Sequence, residues 1–510
     1  MSAVTLNDKY ELESGRIYLT GTQALVRLLL VQRRRDLAAG LNTAGFISGY
    51  RGSPMTVVDQ QLWRAKKELD AHHVKFWPGL NEDLAATAVW GSQMIEYYND
   101  HEYDGVYGMW YGKGPGVDRS IDAIRQAHCT GTSKHGGVLM LSGDDPNMTS
   151  TVSAWHSELL FEDLLMPVLY PADIQEVLDL GLMGIAMSRF SGNWIGYKLL
   201  PETIETAASV NAGYDHVQIR IPDFDMPPDG VNSRAGDYFT LQESRIRNYR
   251  LPAALAFARA NELNYVSHMS PRARFGVAAM GKTWRDVQQA LTDLGIDEAM
   301  AASLGISILK VAMPFPVDEE TYRNFARGLD EVLVIEDKRE QIENGMRKAC
   351  YFLNRDEQPR IVGRHDETGR LLVDPVGTLG ADEIAKVIAR RIAYFHDTER
   401  TRARIGFLDQ QAEAAKARDA AAMTRLPYFC SGCPHNTSTK LPEGSRAYGG
   451  VGCHFMAYWM ERDVGYAGQM GGEGVWTIGQ QPFIKTKHVF QQLGDGTYYH
   501  SGILAIRATV

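Results

Sequence analysis

Short apolar runs that end in glycine and hand over to helix-forming stretches recur along this chain. That alternation constrains its fold more than any other feature. "AGFISGYRGSP" (44–54) reads as a buried strand running into a Gly/Pro turn, and "DLAATAVWGSQMIEYY" (83–98) as the amphipathic helix that follows. "YDGVYGMWYGKGPGVDRSIDAIRQA" (103–127) repeats strand, glycine loop and helix, and "GGVLMLSGDDPNMTS" (136–150) is a strand ending in a polar loop. Strands that alternate with helices build parallel α/β sheets, because a parallel crossover needs a helix-length connection.

A Pro/Gly/Asp-rich break, "PDFDMPPDGVNSRAGD" (222–237), interrupts the pattern, which resumes at "RFGVAAMGKTWRDVQQALTDLGI" (274–296). The division expected is 1–235, 250–398, a helical Arg/Ala/Glu-rich linker at 399–424, and a short third unit at 425–510. Net charge is −9, which excludes the basic balance of nucleic-acid or anionic-membrane binders. The first residues lack a signal-peptide layout and no run of 18 apolar residues occurs, so a cytoplasmic protein is expected.

Three local patterns could carry chemistry. Cys430 and Cys433 form a Cys-x-x-Cys pair, and Cys453 lies in a second glycine-rich turn. Thiolates from two tight loops can converge on a soft metal or an iron–sulfur cluster. A structural zinc site, a redox dithiol or inert thiols are the alternatives. "LGDGTYYHSG" (493–502) puts Asp495 between two glycines before a helix, where one carboxylate can meet a divalent cation and the amides its anion; a plain turn is the bland alternative. Glu82 opens an alanine-rich helix, a place where a carboxylate is ordinarily favoured by the helix dipole alone.

Taken in order, "ISGYRGSP", "NEDLAA", "GDDPNMTS", "VAMPFPVDEE", "VLVIEDKR", "CSGCPH", "GGVGCHF" and "GDGTYYHSG" resemble the indolepyruvate ferredoxin oxidoreductases, over nearly the whole chain. The form with Arg51 looks most like the long single-chain members. The resemblance implies a thiamine-diphosphate enzyme of α/β class. Residues 1–235 would bind the pyrimidine, 250–398 would be a transketolase-C-terminal-like domain, and 425–510 would be the N-terminal part of a diphosphate-binding domain.

The residue roles it implies are as follows. Glu82 would hydrogen-bond the aminopyrimidine, a role suited to a carboxyl shielded from water. Asp495 would bind Mg2+, with Gly494, Gly496, Thr497, His435 and Gly452 around the cofactor, while Ser53 would stand near the substrate carboxylate. Cys430, Cys433 and Cys453 would ligate a 4Fe-4S cluster. The reaction implied is oxidative decarboxylation of a 2-oxo acid, an arylpyruvate such as indolepyruvate, to an acyl-CoA, with electrons passing to ferredoxin.

The family's magnesium-binding Asn, some two dozen residues beyond the GDG, has no counterpart in these 510 residues, nor has a fourth cluster cysteine. The expectation is therefore a fragment, or one subunit completed by a C-terminal segment or partner, forming a homo-oligomer. The alternatives are a thiamine-dependent non-oxidative decarboxylase and an inactive remnant that binds partner chains only.

Overall fold

The computed structural model describes residues 4–151, 153–238, 240–377, 379–421 and 426–510. The chain divides into two compact units, Met1–Gln410 and Gln411–Val510, each with its own sheets. Residues 422–424 of the expected linker lie outside the described residues; the part before them is the helix Glu399–Ala421.

Unit one holds two large sheets and a two-stranded antiparallel ribbon, Arg16–Thr20 with Ala207–Asn211. The first has six parallel strands in the order Val74–Phe76, Thr43–Gly49, Gly105–Lys113, Val138–Gly143, Trp194–Leu199 and Val168–Leu169. Its inner strands are buried along their length, the pattern of a parallel sheet covered on both faces. One covering layer pairs helix Gly21–Ala38 with Ile174–Ser191, and Leu28, Leu29 and Leu30 have no exposed surface there. Burying one such side chain stabilises by about 1.5–3 kcal/mol.

The second sheet runs Arg360–Val362, Glu331–Ile335, Phe275–Met280, Ile306–Val311, Asn264–His268, with only the last strand antiparallel. The two sheets meet where Val168 N donates to Phe315 O (2.8 Å) and Tyr170 N to Ala312 O (2.9 Å).

Two sequence expectations are corrected. "GKGPG" is not a loop: the helix begins at Gly114, directly after the strand, with Pro115 in its first turn, where a missing N–H does no harm. The helix expected to reach Tyr98 stops at Ser92, because the next side chain, Gln93, is buried and donates to Val106 O at 2.8 Å.

Unit two carries a three-stranded parallel sheet ordered Val464–Ala467, Arg446–Gly449, Val489–Gln491. Its core is small: Phe429, Ala447, Ala457 and Val464, packed by Cys433, Leu441, Met456 and Met460. Among the described residues no helix is long and apolar enough to cross a membrane.

Candidate functional site

The sequence-derived residues fall in both units. In unit one they gather at the carboxyl ends of the first sheet, the edge where open α/β sheets bind ligands. Strand Thr43–Gly49 delivers the loop carrying Arg51, Gly52 and Ser53, strand Gly105–Lys113 ends on Lys113, and strand Val138–Gly143 leads to Asp144 and Asp145.

Glu82 opens helix Glu82–Ser92, whose start is fixed twice. The Asn81 side chain accepts from Leu84 N (3.0 Å), and the buried Trp110 indole donates from Nε1 to the Glu82 carbonyl (2.9 Å). The Glu82 side chain is buried and lies across Gly116. A Cβ there would stand 2.7 Å from its Cγ and 3.2 Å from Oε1, so only glycine admits the carboxyl.

Lys113 is the residue that sequence reading missed in this half. Its stem runs along Gly52, where a Cβ would come within 2.8 Å of Cδ, and among the described residues its ammonium makes no hydrogen bond or ion pair. Burial pulls its pKa down, against the opposing pull of the Glu82 and Asp145 carboxylates. Ser53 Oγ reaches Glu205 Oε1 only at 3.4 Å, and Ser150 Oγ donates to the Ser53 carbonyl at 3.3 Å. Asp145 fastens the next loop by accepting from Thr149 N (3.1 Å) and Ser150 N (2.7 Å).

In unit two the three parallel strands release three glycine-rich loops from one edge: 450–454, 468–474 and 492–497. Asp495 begins a helical turn after Gly494 and is exposed. Thr497 is buried, with Oγ1 3.5 Å from the Val451 carbonyl. His435 and His454 meet edge to face, ring centroids 5.6 Å apart, which sets the Cys-x-x-Cys turn beside the 450–454 loop. Burial and the neighbouring His435 hold the His454 imidazole down to about 4, so it is neutral at physiological pH.

A diphosphate with its cation fits this edge, because buried polar atoms there lack partners among the described residues: His454 Nε2, Glu473 Oε1 and both side-chain polar atoms of Gln492. Each would cost about 1–3 kcal/mol if nothing satisfied it. The cysteines fit a cluster less well. Cys433 N donates to Cys430 O at 3.0 Å in a tight turn, Cys430 and Cys453 are exposed, and Cys433 is half-buried. Among the described residues no three His, Cys, Asp or Glu side chains gather closely enough to hold a metal ion.

Residues 266–416 match the family model of the indolepyruvate oxidoreductase domain. The chain is 21% identical to the indolepyruvate oxidoreductase subunit IorA of Pyrococcus abyssi, over 96% of this chain and 72% of that one. With the IorA subunit of Methanothermobacter thermautotrophicus it shares 24% over 64% of this chain and 47% of that protein. The chain thus spans about half the length of one such relative and under three quarters of another. The 2-oxoglutarate:ferredoxin oxidoreductase of Magnetococcus marinus superposes with a TM-score of 0.52 at 14% identity, covering 74% of this chain and 65% of that one, a likeness of fold. The resemblance carried by the motifs therefore holds, and so does the α/β class with parallel sheets.

Proposed function

For a relative of the IorA subunits, we propose oxidative decarboxylation of a 2-oxo acid, in the arylpyruvate class, to its coenzyme A thioester. The balance is 2-oxo acid, coenzyme A and two oxidised ferredoxins giving acyl-CoA, CO2, two reduced ferredoxins and a proton. Thiamine diphosphate, when bound, supplies a carbon nucleophile and accepts the electron pair left by CO2. We take residues 1–235 to receive its pyrimidine, 250–398 as the transketolase-C-terminal-like domain and 425–510 to receive its diphosphate.

The chain's own part is orientation and proton handling. Glu82, fixed by Asn81, Trp110 and Gly116, would hydrogen-bond the aminopyrimidine of the bound cofactor and relay its proton. The Lys113 ammonium and the Ser53 hydroxyl bind the substrate carboxylate. Asp495 holds the divalent cation, with Gly494, Gly496, Thr497, Gly452 and His435 around the diphosphate. Cys430, Cys433 and Cys453 are the residues that would ligate a 4Fe-4S centre, but they form no three-ligand set among the described residues and do not fit one as they stand. We take the enzyme to work as a cytoplasmic homo-oligomer; the chain spans 72% of the length of the Pyrococcus abyssi relative.

The observation that carries the proposal is the buried Glu82 carboxyl at the carboxyl edge of a parallel sheet, with the largely buried Lys113 ammonium under the pull of the Glu82 and Asp145 carboxylates. The test is reduction of ferredoxin or a viologen dye by the protein isolated from its source, with indolepyruvate and coenzyme A. Dye reduction that needs both substrates supports the proposal. CO2 release without electron transfer would make the protein a non-oxidative decarboxylase.

A further inference from the structure

Three side chains to which the sequence reading gave no individual role, His454 of "GGVGCHF", Glu473 of "GQMGGEGVWTIGQ" (468–480) and Gln492, converge on the carboxyl edge of the small sheet in unit two. Glu473 is 3% exposed; its Oε2 accepts from Gly471 N at 2.5 Å, and its Oε1 has no partner among the described residues. That Oε1 lies 3.0 Å from where a Cβ on Gly450 would stand, and the Gln492 carbonyl lies 3.0 Å from the same point. The Gln492 side-chain amide is buried with neither atom satisfied. The His454 ring packs back on its own loop and against the 492–497 loop, its Cε1 2.8 Å from a Cβ placed on Gly452 and 3.5 Å from one on Gly494, and its Nε2 has no partner among the described residues. Two acceptor oxygens and two ring or amide nitrogens thus line a recess that only glycine at 450 keeps open. Of its lining, Gln492 stands three residues before Asp495 along the chain.

We propose that this recess is the inner half of a cation–diphosphate site. Glu473 Oε1 is a second protein carboxylate oxygen for the divalent cation held by Asp495, and Gln492 Nε2 and His454 Nε2 donate to the diphosphate oxygens. This rests on the diphosphate reading given above, and adds ligands that reading does not contain. The chemistry is complementary. A hard cation takes carboxylate and amide oxygens, the anion takes N–H donors, and a buried carboxylate needs a counter-charge. Glu473 follows two glycines, so its backbone can turn the side chain inward between the strand ends.

The test uses the full chain with Mn2+ as the probe, read by electron paramagnetic resonance, with inorganic pyrophosphate and then thiamine diphosphate as the anion. Wild type is expected to bind Mn2+ in the presence of a diphosphate. The near-isosteric Glu473→Gln is expected to weaken that binding about tenfold or more and to alter the Mn2+ signal. Gly450→Ala, which fills the recess, is expected to weaken both anions. Unchanged Mn2+ affinity in Glu473→Gln, with folding verified by circular dichroism, would overturn the inference, as would wild type that binds Mn2+ with neither anion. Binding with pyrophosphate but not with thiamine diphosphate would uphold the site and overturn the thiamine reading.

Discussion

Trp110 and Glu82 are joined through the main chain: the indole Nε1–H donates to the Glu82 carbonyl at 2.9 Å, from a ring with no exposed surface. The bond ties a central strand to the first turn of the helix that presents the candidate catalytic carboxyl. Because it uses the carbonyl, it fixes the position of Glu82 and leaves the side chain to chemistry.

Changing that side chain therefore separates chemistry from folding. Glu82→Gln keeps the Asn81 cap and the Trp110 bond, so its melting temperature is expected to stay within a few degrees of wild type. Substrate-dependent dye reduction is expected to fall by about 10²–10⁴-fold. Steady-state assays beside thermal melts of the two proteins check this.

Trp110→Phe has the opposite signature. It removes one of two donors on the Glu82 carbonyl, which keeps its helical bond from Ala86 N, so a loss of about 0.5–1.5 kcal/mol is expected in denaturant unfolding. Gly116→Ala presses a methyl to within 2.7 Å of the Glu82 Cγ. Overpacking there is expected to cost about 1–3 kcal/mol and to lower kcat more than the melting temperature explains.

Much of this arrangement was legible in the sequence. Glycine-terminated apolar runs announced the parallel sheet, and Glu82 and Asp495 were visible because each opens a helix. Lys113 and Gln492 were not, and Glu473 and His454 were visible only as members of the glycine-rich segments 468–480 and 449–455, without roles of their own. They sit at strand ends and in glycine-rich loops, where no period marks which way a side chain points, and only the adjacency of strands far apart in sequence gives them meaning. The glycines of "GKGPG" misled for the same reason: composition reads them as loop, whereas Pro115 and the tight approach of Glu82 to Gly116 make them the start of a helix.

Lys113 gives a prediction about substrate rather than rate. If its ammonium holds the 2-oxo acid carboxylate, Lys113→Met is expected to raise KM by about tenfold or more, the scale of one lost charged hydrogen bond. Affinity for the cofactor should change little. Substrate titrations at saturating thiamine diphosphate check it, and an unchanged KM removes Lys113 from the site.

A buried ion cluster sets the acid stability of unit one. Lys198 Nζ lies 2.7 Å from Glu158 Oε2 and 3.8 Å from Asp144 Oδ2, and all three side chains are buried. Burial alone would push the Glu158 carboxyl up, but Lys198 outweighs it and the group sits below its ordinary 4.5. Its stabilisation is therefore present above pH 4.5 and lost as the pH falls through the lower folded value. Burial would pull Lys198 down, yet the two carboxylates hold it above 10.5, so its share persists below that pH and is lost only in strong base. Asp144, raised by its burial, works against Glu158 on acidification. Lys198→Met is expected to cost about 3–5 kcal/mol at neutral pH. Lys198→Met combined with Glu158→Gln is expected to recover part of that and to blunt the loss below pH 4.5. Urea midpoints across pH measure both.

The most direct measurement is exchange of the C2 proton of thiamine diphosphate for deuterium, followed by NMR in the presence of Mg2+ and the protein isolated from its source. The account predicts exchange much faster than in the free cofactor, and a return close to the free rate in Glu82→Gln. Exchange at the free rate in wild type, or acceleration that survives Glu82→Gln, would contradict it.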